Sequence, residues 1–297
     1  MTARVFLTGA TGFLGSKLLS KLIDSGFETT LLKRRQSSLQ RIAPWMGQVE
    51  SFDLEDVDLE TLFLQKRYDL VIHCATNYGR RESSNIDLIT ANLLLPLRLL
   101  ELSRRFNAGA FINTDTILDK RVSSYSLSKK QFKEWLMSAQ PGQCCVNMMV
   151  EHFYGAGDDP TKFMSYVVGE LLRPAARIPL TSGVQKRDFV YVDDVIDAFM
   201  QVIGHCQSHR PAGYHEYQIA AGTPVPIREA VELAKRLTGN KVTMLEFGAL
   251  PMRDGEVMDV DVDLRALHAL GWHPKFSLET GLMLMIDEER GKKPCVP

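Results

Sequence analysis

The chain has 297 residues, more than one hydrophobic core usually serves, so we expect two lobes or one large α/β unit. Its 35 basic and 36 acidic residues leave a formal charge of −1, which gives no electrostatic reason to expect a nucleic acid or a membrane surface as partner. No apolar run approaches the ~20 residues of a membrane span, and the N-terminal residues lack the pattern of a signal peptide. Five cysteines are too few and too irregularly spaced for a disulfide framework or a zinc site. We therefore expect a soluble cytoplasmic protein with reduced thiols and no metal.

The first half of the chain alternates short aliphatic segments with longer amphipathic ones. In chain order the pattern predicts strand 4–8, helix 13–25, strand 28–33, strand 47–53, helix 59–65, strand 69–75, helix 86–106, strand 109–114, helix 124–139 and strand 144–150. Alternation of this kind is typical of a parallel sheet with helices on both faces, so we expect a doubly wound α/β fold. Beyond about residue 155 a series of prolines divides the chain into shorter pieces, which indicates a smaller C-terminal lobe.

A glycine-rich turn, Gly9-Ala10-Thr11-Gly12-Phe13-Leu14-Gly15, follows the first strand directly and opens a helix. The first glycine permits the tight turn, the second lets the backbone approach a pyrophosphate, and the third lets the helix pack on the strand. The helix N-terminus offers N–H groups to the anion. An ordinary tight turn is the alternative, but the position after the first strand favours a dinucleotide site. Its expected contacts are Gly9, Thr11, Gly12, Phe13, Leu14 and Gly15.

The Gly-x-x-Gly-x-x-Gly spacing resembles the extended short-chain dehydrogenase/reductase family, which includes nucleotide-sugar epimerases and dehydratases. Two later motifs extend the resemblance over nearly the whole chain: Tyr125-Ser-Leu-Ser-Lys129 and Arg187-Asp-Phe-Val-Tyr-Val-Asp-Asp194. The resemblance implies a Rossmann fold with an interleaved substrate lobe. We expect a dinucleotide-binding domain of residues 1–155 plus about 185–204, and a substrate-binding lobe of about 156–184 and 205–297.

The end of the second strand indicates which nicotinamide cofactor is used. An NAD-preferring site places a carboxylate there, whereas this chain has Lys33-Arg34-Arg35. Three cations would attract the 2′-phosphate of NADP, although a solvated basic loop is the alternative. We therefore expect NADP(H) in preference to NAD(H). The family resemblance adds the remaining expected cofactor contacts: Asp53, Leu54, Cys74, Ala75, Thr76, Asn92 and, near the nicotinamide, Phe153.

Three residues form the expected catalytic set. Tyr125 and Lys129 lie four residues apart on a predicted helix, hence on one face. A tyrosine with a pKa of about 10 is a poor acid–base group at neutral pH, and a nearby cation favours its phenolate. The lysine can also hold the nicotinamide ribose. Thr114, at a strand end, resembles the family residue that bonds the substrate oxygen. A surface Tyr/Lys pair and a structural hydroxyl are the alternatives, but the sequence context favours catalysis.

Two departures from the family pattern bear on which reaction we expect the protein to catalyse. Only ten residues separate Thr114 from Tyr125, so the loop that often closes over the sugar is short. Family dehydratases place an Asp-Glu pair directly after the threonine, and the glutamate removes the C5 proton. This chain has Asp115 and then Thr116. Without that glutamate, a dehydratase would have no base at this position to remove the C5 proton.

The expected substrate is a nucleotide-diphosphate sugar. Arg187 and Arg253 match two family arginines that reach the diphosphate, and two guanidinium groups can each hold its oxygens bidentately. The residues expected near the sugar are Asn77, Tyr78, Arg80 and Thr116.

Together these features predict NADPH-dependent reduction of the 4-keto group of a nucleotide-linked 4-keto-6-deoxy sugar, as in O-antigen or other deoxysugar synthesis. A nucleotide-sugar 4-epimerase that retains NAD is one alternative, and a non-catalytic dinucleotide-binding protein is another. Relatives commonly dimerise through two helices each, so we expect a homodimer formed by the predicted helices 86–106 and 124–139.

Overall fold

The computed structural model describes residues 2–80, 83–138, 142–253 and 255–291. The chain forms two compact units. The first comprises Met1–Val150, Ile196–Gln218 and Ala269–Gly271. The second comprises Glu151–Val195, Ile219–His268 and Trp272–Pro297. Within the described ranges, no helix is both long enough and apolar enough to cross a membrane.

The strands and helices alternate through the first half of the chain. The strands are β1 (Arg4–Thr8), β2 (Glu28–Lys33), β3 (Glu50–Asp53), β4 (Leu70–His73), β5 (Ala110–Thr116), β6 (Cys144–Val150), β7 (His152–Tyr154), β8 (Arg177–Leu180), β9 (Lys186–Arg187), β10 (Phe189–Tyr191), β11 (Gly213–Ile219), β12 (Val225–Pro226) and β13 (Met244–Phe247). The helices are α1 (Phe13–Asp24), α2 (Leu59–Lys66), α3 (Asn85–Ile89), α4 (Leu95–Arg105), α5 (Ser124–Met137), α6 (Phe163–Leu172), α7 (Val192–His209), α8 (Ile227–Thr238), α9 (Arg265–Ala269) and α10 (Leu278–Gly291).

A seven-stranded sheet in the order β11-β6-β5-β4-β1-β2-β3 forms the centre of the first unit. The pairings from β6 through to β3 are parallel. All of β4 and all of β1 except its first residue, Arg4, are buried, as expected for parallel strands covered on both faces. On one face, the rings of Phe6, Phe63 and Tyr68 pack with their centroids 5.0 to 5.1 Å apart. The predicted doubly wound parallel fold is confirmed, and the carboxyl ends of its strands meet at one edge, where ligands bind in such sheets.

The predicted helix 86–106 is interrupted in the structure. A π-helical segment, Thr90–Leu94, separates α3 from α4. Pro96 lies in the first turn of α4 and has no N–H to donate to the carbonyl of residue 92, which accounts for the widened turn. The widened turn contains Asn92, which is fully buried.

Small sheets and buried acids hold the second unit together. β7 pairs with β10 and β8 with β13, both in parallel, whereas β9 and β12 are antiparallel. Asp188 accepts a hydrogen bond of 2.6 Å from the Ala221 N–H. Asp194 accepts from the N–H groups of Lys275 and Phe276 at 2.9 and 3.1 Å. These carboxylates therefore fix backbone segments.

The boundary between the units differs from the expected one. We expected residues 185–204 to return to the first domain, but the returning segment is Ile196–Gln218. The difference arises because β11 joins the sheet next to β6. Residues 151–155 and 185–195 lie in the second unit because β7 pairs with β10 there and β9 pairs with β12.

Candidate active site

The glycine-rich turn has the geometry that a pyrophosphate needs. Gly9 has a φ of +76°, and a Cβ there would lie 2.4 Å from the Ala75 nitrogen. A Cβ on Gly15 would lie 2.1 Å from the Gly9 oxygen, so both positions require glycine. Gly12 caps α1 without a side-chain hydrogen bond, and the first N–H groups of a helix have no partner within it. The turn, with Thr11 and the nearly buried Phe13 and Leu14, fits a dinucleotide phosphate.

The basic cluster after β2 is mostly neutralised by acids. Lys33 forms an ion pair with Asp53, its register neighbour on β3. The guanidinium of Arg35 pairs with Asp56, and its backbone N–H donates to Glu55 at 3.0 Å. Arg34 is exposed and forms no ion pair with any residue that the structure describes. Of the three cations expected to face a 2′-phosphate, only Arg34 carries an uncompensated charge, because neighbouring acids neutralise the other two.

The three expected catalytic residues each interact with groups at the carboxyl ends of β4 and β5 in the first unit. The Thr114 hydroxyl donates to Cys74 Sγ at 3.2 Å. The Tyr125 hydroxyl shares a hydrogen bond with the Thr76 side chain, and its ring centroid lies 5.0 Å from that of Tyr78. The Cys74 thiol, which Thr114 contacts, also interacts electrostatically with the Lys129 ammonium. Lys129 lies one helical turn after Tyr125 on α5.

The start of α5 is fixed by its sequence. Ser123 and Ser126 form a reciprocal capping box: the Ser126 N–H donates to Ser123 Oγ at 3.1 Å, and the Ser123 N–H donates to Ser126 Oγ at 3.0 Å. Tyr125 therefore lies in the first turn, and Lys129 follows on the same face.

Tyr125 is a phenol in this environment. Burial raises its pKa well above the ordinary value of about 10, and Tyr78 and Asp115 shift the pKa in the same direction. We expected a nearby cation to favour the phenolate, but the net pKa of Tyr125 is raised because the effect of burial dominates. At neutral pH Tyr125 carries its proton and can donate it.

Lys129 is 1% exposed, and burial lowers its pKa to about 8. Asp115 and Cys74 oppose that shift, so the amine is still mainly protonated at neutral pH. Burial also lowers the pKa of His73, beneath this site, well below its usual range, so that imidazole is neutral. Its Nδ1 lies 2.9 Å from Thr8 Oγ1, which accepts from the Ala75 N–H at 3.2 Å. This chain of contacts fixes the turn that carries Cys74 and Ala75.

Asn92 connects the loop after β4 to α5. Its Oδ1 accepts from the Asn77 N–H at 2.8 Å and from Thr76 Oγ1 at 3.3 Å. Its Nδ2 donates to the Asn77 carbonyl at 2.8 Å and to Ser128 Oγ at 2.9 Å. We expected Asn92 to bind cofactor, but protein groups occupy its amide, so it acts by placing the loop against the catalytic helix.

The residues expected to contact the sugar have different environments. Tyr78 is 38% exposed, and the Arg80 guanidinium lies 5.4 Å from its ring centroid. Asn77 Nδ2 donates to Ser83 Oγ at 2.7 Å, and its Oδ1 accepts from the Gly79 N–H at 2.9 Å. Thr116 differs from expectation: it is 8% exposed, because β5 extends to this residue instead of ending at 114.

Three further expected residues belong to the second unit. Phe153 lies on β7, with Lys162 Nζ 4.3 Å from its ring centroid. Arg253 is exposed. Arg187 pairs with Glu256, and its Nη1 donates to the Val257 carbonyl at 2.7 Å. The pairing with Glu256 was not foreseen, since nothing in the sequence joins residues so far apart.

A family model described as the NAD dependent epimerase/dehydratase family matches residues 5–220. The chain belongs to the NAD dependent epimerase/dehydratase family. It is 32% identical over 292 residues to CDP-abequose synthase of Salmonella typhimurium, covering 94% of this chain and 95% of that protein. The Salmonella muenchen CDP-abequose synthase is 30% identical over 292 residues, covering 95% and 97%. The predicted extended short-chain dehydrogenase/reductase family, a family of oxidoreductase-type enzymes, is therefore confirmed.

Solved structures of epimerase/dehydratase family members have the same fold. UDP-glucose 4-epimerase of Thermotoga maritima, solved with UDP-glucose, superimposes with a TM-score of 0.80 at 23% identity, covering 97% of this chain and 99% of that one. dTDP-glucose 4,6-dehydratase of Bacillus anthracis, solved with NAD, gives a TM-score of 0.81 at 17% identity, covering 98% and 97%.

Proposed function

We propose that this protein reduces the 4-keto group of a nucleotide-linked 4-keto-6-deoxy sugar with NADPH. The observation that carries the proposal is the protonated Tyr125 on the helix face that also holds the Lys129 ammonium, with Cys74 as a shared neighbour of Lys129 and Thr114. A phenol is a proton donor, and carbonyl reduction consumes a proton. Asp115 and Thr116 follow Thr114, so the glutamate base of the dehydratases is absent from that position. The similarity to CDP-abequose synthases supports a CDP-linked deoxysugar as substrate.

The roles of the site residues follow from their chemistry. A bound NADPH would supply a hydride to C4 of the sugar. The backbone of the glycine-rich turn would hold its pyrophosphate, and Lys129 would hold the nicotinamide ribose. The Thr114 hydroxyl would leave Cys74 and donate to the ketone oxygen. Tyr125 would give its proton to that oxygen as it becomes a hydroxyl, and the Lys129 ammonium would stabilise the phenolate left behind.

The substrate diphosphate requires an exchange of ion-pair partners in the second unit. Arg187 is paired with Glu256, so a diphosphate would replace that carboxylate on the guanidinium. Arg253, which is exposed, is the second proposed contact. Phosphate oxygens suit both side chains, because guanidinium groups bind them bidentately.

We expect Arg34 to determine the preference for NADPH. The variant Arg34→Ala should bind NADPH about 10- to 100-fold more weakly and NADH equally well, since it loses a charge-assisted contact to the 2′-phosphate. Fluorescence titration with both cofactors measures this change. The matched control is Arg35→Ala, whose charge Asp56 already neutralises. An unchanged ratio of the NADPH and NADH affinities in Arg34→Ala would contradict the assignment.

We also propose a cytoplasmic homodimer formed through the helices 85–105 and 124–137. Several apolar side chains on these helices are strongly exposed, which supports a covered surface in the assembled protein: Ile86, Leu94, Leu127 and Trp135.

The direct test is to mix purified protein with NADPH and a CDP- or dTDP-linked 4-keto-6-deoxyhexose. We expect the cofactor absorbance to fall in step with substrate consumption. A 4-epimerase would instead retain NAD through purification and consume none. Cofactor binding without turnover over a panel of nucleotide sugars would favour a non-catalytic binding protein.

A further inference from the structure

Asp115 is a buried charge directly beside the catalytic set. It follows Thr114 on β5, and its side chain is 0% exposed. Its Oδ2 accepts from Lys130 Nζ at 3.0 Å and from Asn147 Nδ2 at 3.0 Å. Its Oδ1 accepts from the Thr116 N–H at 2.7 Å. Both oxygens are therefore fixed by donors on three elements of the first unit.

This arrangement excludes acid–base chemistry by Asp115 itself. The dehydratases of this family have an aspartate at the corresponding place, but here the carboxylate is buried and both of its oxygens already accept hydrogen bonds. Lys130 is fixed as well, because its ammonium also donates to the Thr116 carbonyl. An ion pair buried in this way stabilises folding little, so a second role is physically reasonable.

The charge of Asp115 acts on both catalytic side chains. It raises the pKa of Lys129 and so offsets part of the burial effect that lowers this pKa to about 8, and it raises the pKa of Tyr125. The positive charge of Lys130 lowers the pKa of Lys129. The titratable groups that face the Tyr125–Lys129 pair are Asp115 from β5, His73 and Cys74 from the end of β4, Tyr78 from the following loop and Lys130 from α5.

We propose that Asp115 is a positioning residue: its buried carboxylate, fixed by Lys130 and Asn147 next to Thr114, keeps the Lys129 amine protonated. The role of this charge in ketone reduction rests on the proposed function. Its effect on the protonation of Lys129 exists in the protein without substrate or cofactor. A buried amine without a nearby anion loses its proton more readily, and a neutral Lys129 would neither hold a ribose hydroxyl as a cation nor stabilise a phenolate.

The test follows Lys129 in the free protein by NMR. Lysine labelled at the ε-carbon is titrated with pH, and Lys129→Met assigns the signal. In Asp115→Asn the midpoint should fall by about one pH unit, because an anion near the ammonium has been removed. In Lys130→Met it should rise, because a neighbouring cation has been removed. Lys130→Arg and the exposed Asp119→Asn should leave it unchanged.

These outcomes separate a positioning role from a structural one. A folded Asp115→Asn protein with an unshifted midpoint would overturn the proposal, even if its thermal stability had fallen. If Asp115→Asn does not fold, Lys130→Met decides: a rise supports the proposal and no rise overturns it. The titration contains no substrate, so a shifted midpoint supports the role of Asp115 even if the protein reduces no nucleotide sugar. The role of Asp115 and the proposed function can therefore fail independently. Where turnover is found, the pH profile of kcat should move in the same direction as the midpoint.

Discussion

Replacing Tyr125 with phenylalanine is expected to lower kcat for ketone reduction about 1,000-fold, within the range that a positioned general acid contributes. The substitution removes one hydroxyl and keeps the ring that packs 5.0 Å from Tyr78, so cofactor and substrate affinities should change little. Steady-state assays of NADPH oxidation measure the effect.

The matched control for this experiment is Tyr166→Phe on α6. Tyr166 is 37% exposed and lies in the second unit, so its loss of a hydroxyl should leave kcat at the wild-type value. Wild-type turnover by Tyr125→Phe would remove Tyr125 from the mechanism.

Replacing Gly15 with alanine is expected to weaken cofactor binding by at least about 100-fold. The added Cβ would lie 2.1 Å from the Gly9 oxygen, so the turn would have to move by an ångström or so, and displacements of this size cost that much at binding and catalytic sites. Equilibrium titration with NADPH and circular dichroism of the same samples distinguish lost binding from lost folding.

Gly204→Ala is the control for Gly15→Ala. Gly204 also lies within a helix, and a Cβ there would have no atom within 4 Å. That variant should bind cofactor normally and gain about 0.5 to 1 kcal/mol of stability. NADPH affinity equal to wild type in Gly15→Ala would refute the assignment of the pyrophosphate site.

The sequence was sufficient for the sheet and for the residues at its carboxyl edge. Alternating segments predict parallel strands, and the spacing of Tyr125 and Lys129 places them on one face of a helix. These signals come from residues that are close in the sequence or that recur at a regular spacing, so the sequence alone reveals them. The neutralisation of Lys33 by Asp53 is different, because it depends on the register between β2 and β3, which no local pattern reveals.

Three other differences have separate causes, and burial accounts for the first. The spacing of Tyr125 and Lys129 indicates a cation near a phenol, but it does not reveal that both side chains lose water. The length of β5 and the burial of Thr116 depend on pairing with β6 up to Val150. Pro96 indicated that the long helix would be interrupted. The regular spacing of the leucines in this segment nevertheless led to the prediction of one continuous helix.

Transfer of labelled hydride tests the central claim most directly. NADPH carrying deuterium at its transferable hydrogen is incubated with the enzyme and a CDP-linked 4-keto-6-deoxyhexose, and the product is analysed by NMR and mass spectrometry. We expect one deuterium at C4 of the sugar for each NADPH oxidised. A product inverted at C4 without label and without net NADPH oxidation would contradict reduction and indicate epimerisation.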